Sequence, residues 1–478
     1  MSVKKMSVTQ LTLLTAVNML GSGIILLPAK LAQVGGISIL SWLITVTGSV
    51  ALAWAFACCG TLSNKPGGMG GYAEYAFGKA GNYIANYTYG VAIVIGNVAI
   101  AITAIGYIIG LFHINPNPLQ IGLMTIALLW FTTIANFGGA SITGKLGGIT
   151  VWGVIVPVVI LSTVGWFWFD PKIYIAGWNP HNKTLIEAAG SSVAITLWAF
   201  LGLESACANC DAVENPQKNV PIAVLFGTIG SAIVYVVSTN VIAGIVPNMQ
   251  LAASNAPFGL AFAMMFTPTI GNIITGLMIL ACIGSLLGWQ FTTAQVFKSS
   301  ADVGYFLKIF SKSTKTGTPI VGMIVLVIIQ TILSWLSIPL SQDGTRLGWL
   351  TQSSFANAGV SDQFSAIVDL SVVTNLIPYI LSMAALVTIQ EIAHTPRRKA
   401  MINNAVALVG AAYSYFALVN SGSQALMYGG VATILGFTFY GAVGARFVKV
   451  EQRLHPDHVI ASAEEVPPTT WDQNKTVE

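Results

Sequence analysis

Charged residues are scarce in this chain. Of its 478 residues only 8% are charged, whereas 54% are hydrophobic and the mean hydropathy is +0.74. An average soluble domain is about 25% charged, so this composition excludes an ordinary soluble protein. Apolar runs of about 20 residues recur along the chain, and each is long enough to cross ~30 Å of hydrocarbon as a helix. The sequence therefore predicts an all-α integral membrane protein.

Twelve apolar runs are predicted to be transmembrane helices, and the first begins near Thr9. That run is too long for the apolar core of a secretory signal, so we expect it to be a span. Residues 1–447 are expected to form one membrane domain, and the polar residues 448–478 a disordered cytoplasmic tail. The approximate centres of the runs are Gly21, Ser49, Gly96, Ala127, Val158, Leu201, Val234, Ser285, Ile328, Pro378, Val409 and Leu435.

Cysteine and histidine, which often build metal and redox sites, number only five each. The cysteine count is odd and every cysteine lies in or beside an apolar run, which argues against a disulfide framework. Cys207 and Cys210 have the spacing of a redox motif, but no βαβ pattern surrounds them. All histidines fall in predicted loops or in the tail, which argues against a histidine proton relay. No cofactor or metal is therefore implied.

Lys and Arg are distributed unevenly between the two sets of loops. If the N-terminus is cytoplasmic, only four of the 21 basic residues fall in the outer set: Lys30, Lys172, Lys183 and Arg346. Basic residues accumulate in cytoplasmic loops, so both termini are predicted to be inside. The net charge of +4 follows from this topology and needs no nucleic-acid partner.

Acidic residues are almost absent from the predicted spans, and no Lys, Arg or His is expected in them. Glu204 lies near the middle of the sixth span and Asp369 about two turns into the tenth. Because a charge at membrane depth is costly, each is a candidate functional residue. For Asp369 two interpretations stay open, a group that attracts cations at the outer mouth or a residue at a helix start.

Small residues interrupt the first and sixth spans at mid-membrane. Gly21, Ser22 and Gly23 stand in "MLGSGI", and Gly202 precedes Glu204 in "FLGLES". Spans that are five apart cross the membrane in opposite senses, so matching breaks predict an inverted repeat with a transport site between its halves. Free amides near Gly23 suit an anionic group such as a carboxylate, and Glu204 suits an amine. The alternative is that the glycines serve only close helix packing.

Two tryptophans, Trp198 and Trp289, lie in mid-span, whereas tryptophan usually favours the membrane interfaces. Aromatic ring faces attract ammonium groups, which indicates a cationic ligand. Packing or lipid-facing roles remain the alternative for each ring. The glycine-rich stretch "KPGGMGGYAEYAFGK", Lys65 to Lys79, is expected to be a flexible gating loop on the inner side.

Several segments in combination resemble bacterial amino acid/polyamine antiporters of the amino acid, polyamine and organocation (APC) superfamily: "GSGIILLPAKLA", "GGMGGYAEYAFGK", "LWAFLGLESACAN", "VENPQKNVPIAV" and "GSLLGWQFTTAQVFKSS". The resemblance covers about Met6 to Phe447. It implies a LeuT-like fold of two inverted five-helix repeats plus two C-terminal helices, with helices 1 and 6 interrupted. The substrate-binding residues that it implies are Gly21, Ser22, Gly23, Tyr89, Asn97, Trp198, Glu204 and Trp289. It adds Cys59, Glu74 and Tyr440 in gating or secondary roles, while Asp369 departs from the neutral residue expected there.

The resemblance implies a secondary transporter that exchanges putrescine for ornithine across the bacterial inner membrane. Cadaverine with lysine, agmatine with arginine, and proton-coupled putrescine uptake stay open, as does the oligomeric state, a homodimer included. A passive amine channel is a weaker alternative, because no ring of carbonyls or charges is visible. A membrane enzyme would need a metal cluster or an activated nucleophile, and the sequence offers neither.

Overall fold

The computed structural model describes residues 7–21, 23–63, 65, 68–204, 214–302, 304–314, 317–338 and 360–454. Over these residues the chain is helical and forms no strand. Nine helices in the described part are long and apolar enough to cross a membrane. The shorter apolar helices there are Val8–Leu20, Leu185–Trp198 and Ile320–Leu336. The predicted class, a multi-pass all-α membrane protein, is confirmed.

The helices, numbered along the chain, are α1 (Val8–Leu20), α2 (Leu27–Ala32), α3 (Ile39–Leu62), α4 (Met69–Phe112), α5 (Pro118–Ala135), α6 (Ala140–Thr150), α7 (Trp152–Val164), α8 (Pro171–Ala176), α9 (Leu185–Trp198), α10 (Pro216–Ile245), α11 (Asn248–Ala252), α12 (Pro257–Met265), α13 (Pro268–Asp302), α14 (Ile320–Leu336), α15 (Val360–Ile392), α16 (Arg397–Asn420) and α17 (Ser423–Leu454). Short 3₁₀ turns occupy Gly36–Ser38, Asn136–Gly138, Gly165–Trp168 and Lys308–Ser311. The last helix continues to Leu454, past the expected domain boundary at residue 447.

The predicted span centres fall inside helices, with two exceptions. Gly21 follows the end of α1, and Leu201 follows the end of α9. Both lie in non-helical backbone at the glycine-containing positions of the sequence. The chain therefore leaves the helix at the two places where small residues interrupt an apolar run.

Several helix starts are encoded locally by capping boxes, in which a cap side chain and the third helical residue bond to each other's backbone amides. The pairs are Ser7 with Gln10, Asn117 with Gln120, and Thr184 with Glu187. The last pair fixes the start of α9, which ends at Trp198.

The helix α4 folds back on itself at Gly78, whose φ of +63° and ψ of −160° lie outside the helical region. In a straight helix, residues eight apart are about 12 Å apart along the axis. Here Asn82 Nδ2 donates to Glu74 Oε2 at 2.8 Å, and a methyl group on Gly70 would collide with Asn86. Residues 69–77 are thus a separate short helix against the start of residues 79–112. The expected flexible loop at Lys65 to Lys79 is wrong from Met69 onward.

The second part of α4 is the centre of the fold. In the most apolar stretch of α4, 94% of the residues are buried, whereas in that of α17 the buried share is 17%. A helix that is apolar on all sides is buried in a large protein. The helices α15 and α13 pack along α4, and α1 packs on α10. This arrangement places the breaks after α1 and α9 beside the middle of α4.

Candidate ligand site at the helix breaks

The two helix breaks contact each other through their glycines. A Cβ atom on Gly23 would lie 3.2 Å from Ala199 Cα, and one on Gly202 would lie 3.2 Å from the backbone oxygen of Asn18. Gly202 also has a φ of +109°, which favours glycine strongly. Close packing and the loss of helix therefore occur together at this crossing. The packing alternative explains why glycine is needed there but leaves the function of the break open.

Tyrosines from neighbouring helices satisfy backbone oxygens at both breaks. The hydroxyl of Tyr107 in α4 donates to Ile25 O at 2.8 Å, and that of Tyr235 in α10 donates to Ala199 O at 2.8 Å. Non-helical backbone at membrane depth needs such partners, because lipid supplies none. These bonds satisfy the two backbone oxygens in place of the amides that would pair with them in a continuous helix.

Glu204 lies directly after the second break and is 5% exposed. Its Oε1 accepts a hydrogen bond from the Tyr89 hydroxyl at 2.9 Å. Its Oε2 accepts one from the Tyr379 hydroxyl at 2.7 Å and one from the Gly202 amide at 3.1 Å. Three donors converge on one carboxylate, and their hydrogen bonds offset part of the cost of burying its charge. Tyr379, on α15, is a partner that the sequence analysis missed.

No protein cation pairs with this carboxylate among the described residues. The ion pairs in that part of the chain are Lys65 with Glu74 and Lys298 with Asp302. A buried charge without a counter-charge is strongly unfavourable. The geometry therefore suits a ligand that brings its own positive charge.

The breaks, α4, α13 and α15 enclose one cavity with about 490 Å³ of empty space, including the part open to solvent. The predicted residues that line it are Gly23, Tyr89, Asn97, Trp198, Glu204 and Trp289. Other lining residues, which the sequence analysis did not single out as site residues, include Asn18, Gly96, Ser371 and Asn375. Gly21 lies beside Ser285 and does not line the cavity. Ser22, Cys207 and Cys210 lie outside the described residues.

Two residues that line the cavity carry polar atoms without protein partners. Trp198 Nε1 and Asn97 Oδ1 are buried and have no hydrogen-bond partner among the described residues. The amide nitrogen of Asn97 donates to Thr293 Oγ1 at 3.3 Å. Gly96 lets the Trp198 ring approach α4, since a Cβ there would lie 2.9 Å from Trp198 Cη2. An unpaired donor and an unpaired acceptor beside an aromatic wall suit a polar ligand.

The secondary candidates lie away from the cavity. Cys59 is buried and its thiol approaches Ser382 O at 3.6 Å. Glu74 lies on the fold-back segment of α4, and the Tyr440 ring lies 5.2 Å from that of Tyr83. None of the three lines the cavity.

Lys30 and Asp369 correct two expectations. Lys30, placed in an outer loop by the sequence, lies in α2 and is 3% exposed. Its ammonium donates to Gln33 Oε1 at 3.4 Å and interacts electrostatically with Asp362 and Asp369. Asp369 lies well inside α15, which begins at Val360, so the helix-start interpretation is wrong. Helix α2 resumes directly after the break and buries the lysine, which hydropathy alone does not reveal.

A multi-pass helical protein with a cavity at two crossing helix breaks has the architecture of a membrane transporter. The chain belongs to the amino acid permease family, whose sequence profile matches residues 6–438. The family expected from the sequence motifs is confirmed, and with it a transporter in place of an enzyme.

The chain is also similar to named transporters over most of its length. The chain is 61% identical over 443 residues to the putrescine transporter PotE of Escherichia coli (strain K12). The aligned residues cover 93% of this chain and 97% of the relative. It is 57% identical to the putrescine transporter PotE of Haemophilus influenzae, over 93% of this chain and 98% of the relative. The cadaverine/lysine antiporter of Escherichia coli (strain K12) is 31% identical, over 92% of this chain and 95% of the relative.

Proposed function

We propose that this protein is a secondary transporter that exchanges putrescine for ornithine by alternating access. The observation that carries the proposal is Glu204, a buried carboxylate that receives three hydrogen bonds and has no cation partner among the described residues. An ammonium group of either ligand supplies the missing charge. The higher identity to putrescine transporters than to a cadaverine/lysine antiporter supports putrescine as the diamine.

The cavity offers separate groups for the two ends of a ligand. One ammonium binds Glu204. The rings of Trp198 and Trp289 line the same cavity, and ring faces attract cations. The carboxylate of ornithine binds backbone amides near Gly23, at the break between α1 and α2. Tyr89 and Asn97 line the same space. Putrescine has no carboxylate, so water takes that position and a single cavity holds either ligand.

We extend the proposal to the membrane architecture. The nine long helices and three shorter apolar ones of the described residues support twelve spans. The breaks after α1 and α9 support two inverted five-helix repeats followed by two further helices. The uneven distribution of Lys and Arg supports cytoplasmic termini in a bacterial inner membrane. Residues 1–447 then form the transporter domain, with a cytoplasmic tail behind it.

The test is flux in liposomes that contain the purified protein. Vesicles loaded with putrescine should take up external labelled ornithine one for one, whereas empty vesicles should take up little. Equal uptake into empty vesicles would instead indicate a passive channel. Competition by cadaverine, lysine, agmatine and arginine then ranks the alternative pairs. Stronger competition by cadaverine and lysine than by putrescine and ornithine would overturn the substrate assignment.

A further inference from the structure

A polar cluster joins four parts of the chain on the face that carries Lys65. The Lys65 ammonium, beyond the end of α3, lies 2.8 Å from Glu74 Oε1 on the fold-back segment 69–77. The other oxygen of Glu74 accepts from Asn82 Nδ2, at the start of residues 79–112 of α4. Tyr305, beyond α13, also hydrogen bonds to Glu74. One carboxylate thus connects the segment after α3, both arms of α4 and the segment after α13.

These connections join the ends of helices that line the cavity. Residues 79–112 of α4 carry Tyr89 and Asn97, and α13 carries Trp289. Helix ends that are bonded together cannot separate until those bonds break. Any opening of the cavity between α4 and α13 on this face must therefore release Glu74.

The contacts of Glu74 in this cluster are weak enough to break and re-form. The side chains of Lys65 and Glu74 are 38% and 18% exposed, so water competes for the pair. The Lys65 ammonium also lies 5.1 Å from the centre of the Tyr75 ring, which holds it in place through a cation–π contact. Exposed ion pairs are individually weak, which allows reversible opening.

Gly78 is the hinge between residues 69–77 and residues 79–112 of α4. Its φ of +63° and ψ of −160° make the turn that brings Glu74 to Asn82, and no atom lies within 4 Å of a Cβ placed there. Glycine is needed at this position for its backbone conformation alone. Rotation at this residue would move residues 69–77 relative to residues 79–112, and it would separate the close contacts of Gly70 with Asn86 and of Phe77 with Gly81.

We propose that Glu74, bonded to Lys65, Asn82 and Tyr305, forms a latch at the Gly78 turn that keeps the cavity closed toward the cytoplasm. The inference rests on the proposed function, because the side that it controls follows from the proposed orientation. Opening the latch permits the inward-facing state, in which the ligand is exchanged with the cytoplasm. The latch sets the ratio between inward-facing and outward-facing protein, and it does not contact the ligand.

The test separates the two faces of the transporter. In vesicles of defined orientation, Lys65→Met and Glu74→Gln should each lower the KM for putrescine on the cytoplasmic side and raise it on the outer side. A shift in the population of one state changes the two apparent affinities in opposite directions. For a partly exposed ion pair the expected change is about two- to fivefold. The double variant should shift the KM values no further than Glu74→Gln alone, because that change already removes the ion pair with Lys65.

Matched variants separate the latch from general damage. Lys65→Arg keeps the pair and should leave both KM values near wild type. Gly78→Ala disfavours the turn and should shift KM as Lys65→Met does. Gly430→Ala should leave both KM values unchanged. Gly430 lies inside a helix, and no atom lies within 4 Å of a Cβ placed there. Parallel shifts on both faces, unchanged KM values, or additive effects in the double variant would overturn the latch. Failure of the wild-type protein to exchange putrescine would overturn the proposed function instead.

Discussion

At the scale of single residues, one carboxylate organises the cavity. The two phenols and one amide that bond to Glu204 come from three parts of the chain: α4, α15 and the break itself. They fix both oxygens, so the carboxylate keeps its orientation when the cavity empties. Preorganisation of this kind lowers the cost of binding a cation.

Replacement of Glu204 by Gln should therefore lower transport at least about tenfold. The amide keeps the shape but loses the charge, and ~1.4 kcal/mol or more of interaction with an ammonium disappears. The measurement is the initial rate of putrescine exchange in liposomes, at low and at saturating substrate. Normal rates at both concentrations would show that the ligand amine binds elsewhere.

The tryptophans Trp198 and Trp289 give a second expectation at this scale. Trp198→Leu and Trp289→Leu should each weaken the apparent affinity for putrescine, because a desolvated cation–π contact contributes about 2 kcal/mol. Phe at either position keeps a ring face and should retain part of that affinity. The readout is KM, with the amount of folded protein measured in parallel. Wild-type affinity in both Leu variants would refute the cation–π contact.

Single residues also mark where sequence reasoning succeeds and where it stops. Glu204 was found because an acid at membrane depth is rare, and Trp198 because it lies away from the interfaces. Tyr379 and Asn375 lie on α15 among other polar residues, and the sequence does not show that α15 packs against α4. Lys30 was misplaced because burial after a helix break depends on tertiary packing, which hydropathy does not record.

At the scale of helices, the breaks were predictable and their support was not. Glycines in mid-span indicate where α1 and α9 end, since the cost of a glycine there needs a reason. The hydroxyls of Tyr107 and Tyr235 that satisfy the freed oxygens come from other helices. The fold-back at Gly78 was missed for a related reason. A glycine-rich stretch is typical of a loop, and only contacts such as Glu74 with Asn82 reveal a packed helix.

Tyr107→Phe tests the support of the first break. It leaves Ile25 O buried without its partner and also removes the acceptor of a longer bond from Phe258 N at 3.4 Å. An unsatisfied buried group costs about 1–3 kcal/mol. The Tm of the purified protein in detergent should fall. Tyr415→Phe is the matched control, because Tyr415 is 67% exposed. An equal Tm for the two variants would mean that the Tyr107 bond does not stabilise the break.

At the scale of the whole molecule, orientation can be checked by labelling. Single cysteines at Lys312 and at Arg398 should react with an impermeant reagent only from the cytoplasm, and one at Lys183 only from outside. Basic residues translocate poorly, which is the basis of the prediction. The unsubstituted protein is the control for its own cysteines, of which Cys59 and Cys282 are buried. Labelling of the Lys183 position from the inside would reverse the orientation and undo the repeat assignment.

Exchange through a single cavity also predicts the electrical behaviour of the transporter. Putrescine carries two positive charges and ornithine one, so outward putrescine for inward ornithine removes one net charge from the cell in each cycle. An inside-negative potential should oppose that cycle by ~2.3 kcal/mol per 100 mV. An outward gradient of putrescine or an inward gradient of ornithine must then drive it. Liposomes loaded with putrescine, given external labelled ornithine and potentials of either sign, make the measurement. Exchange that is slower when the inside is negative supports a loaded site that crosses the membrane in both directions, whereas indifference to the potential would contradict the proposed pair of substrates.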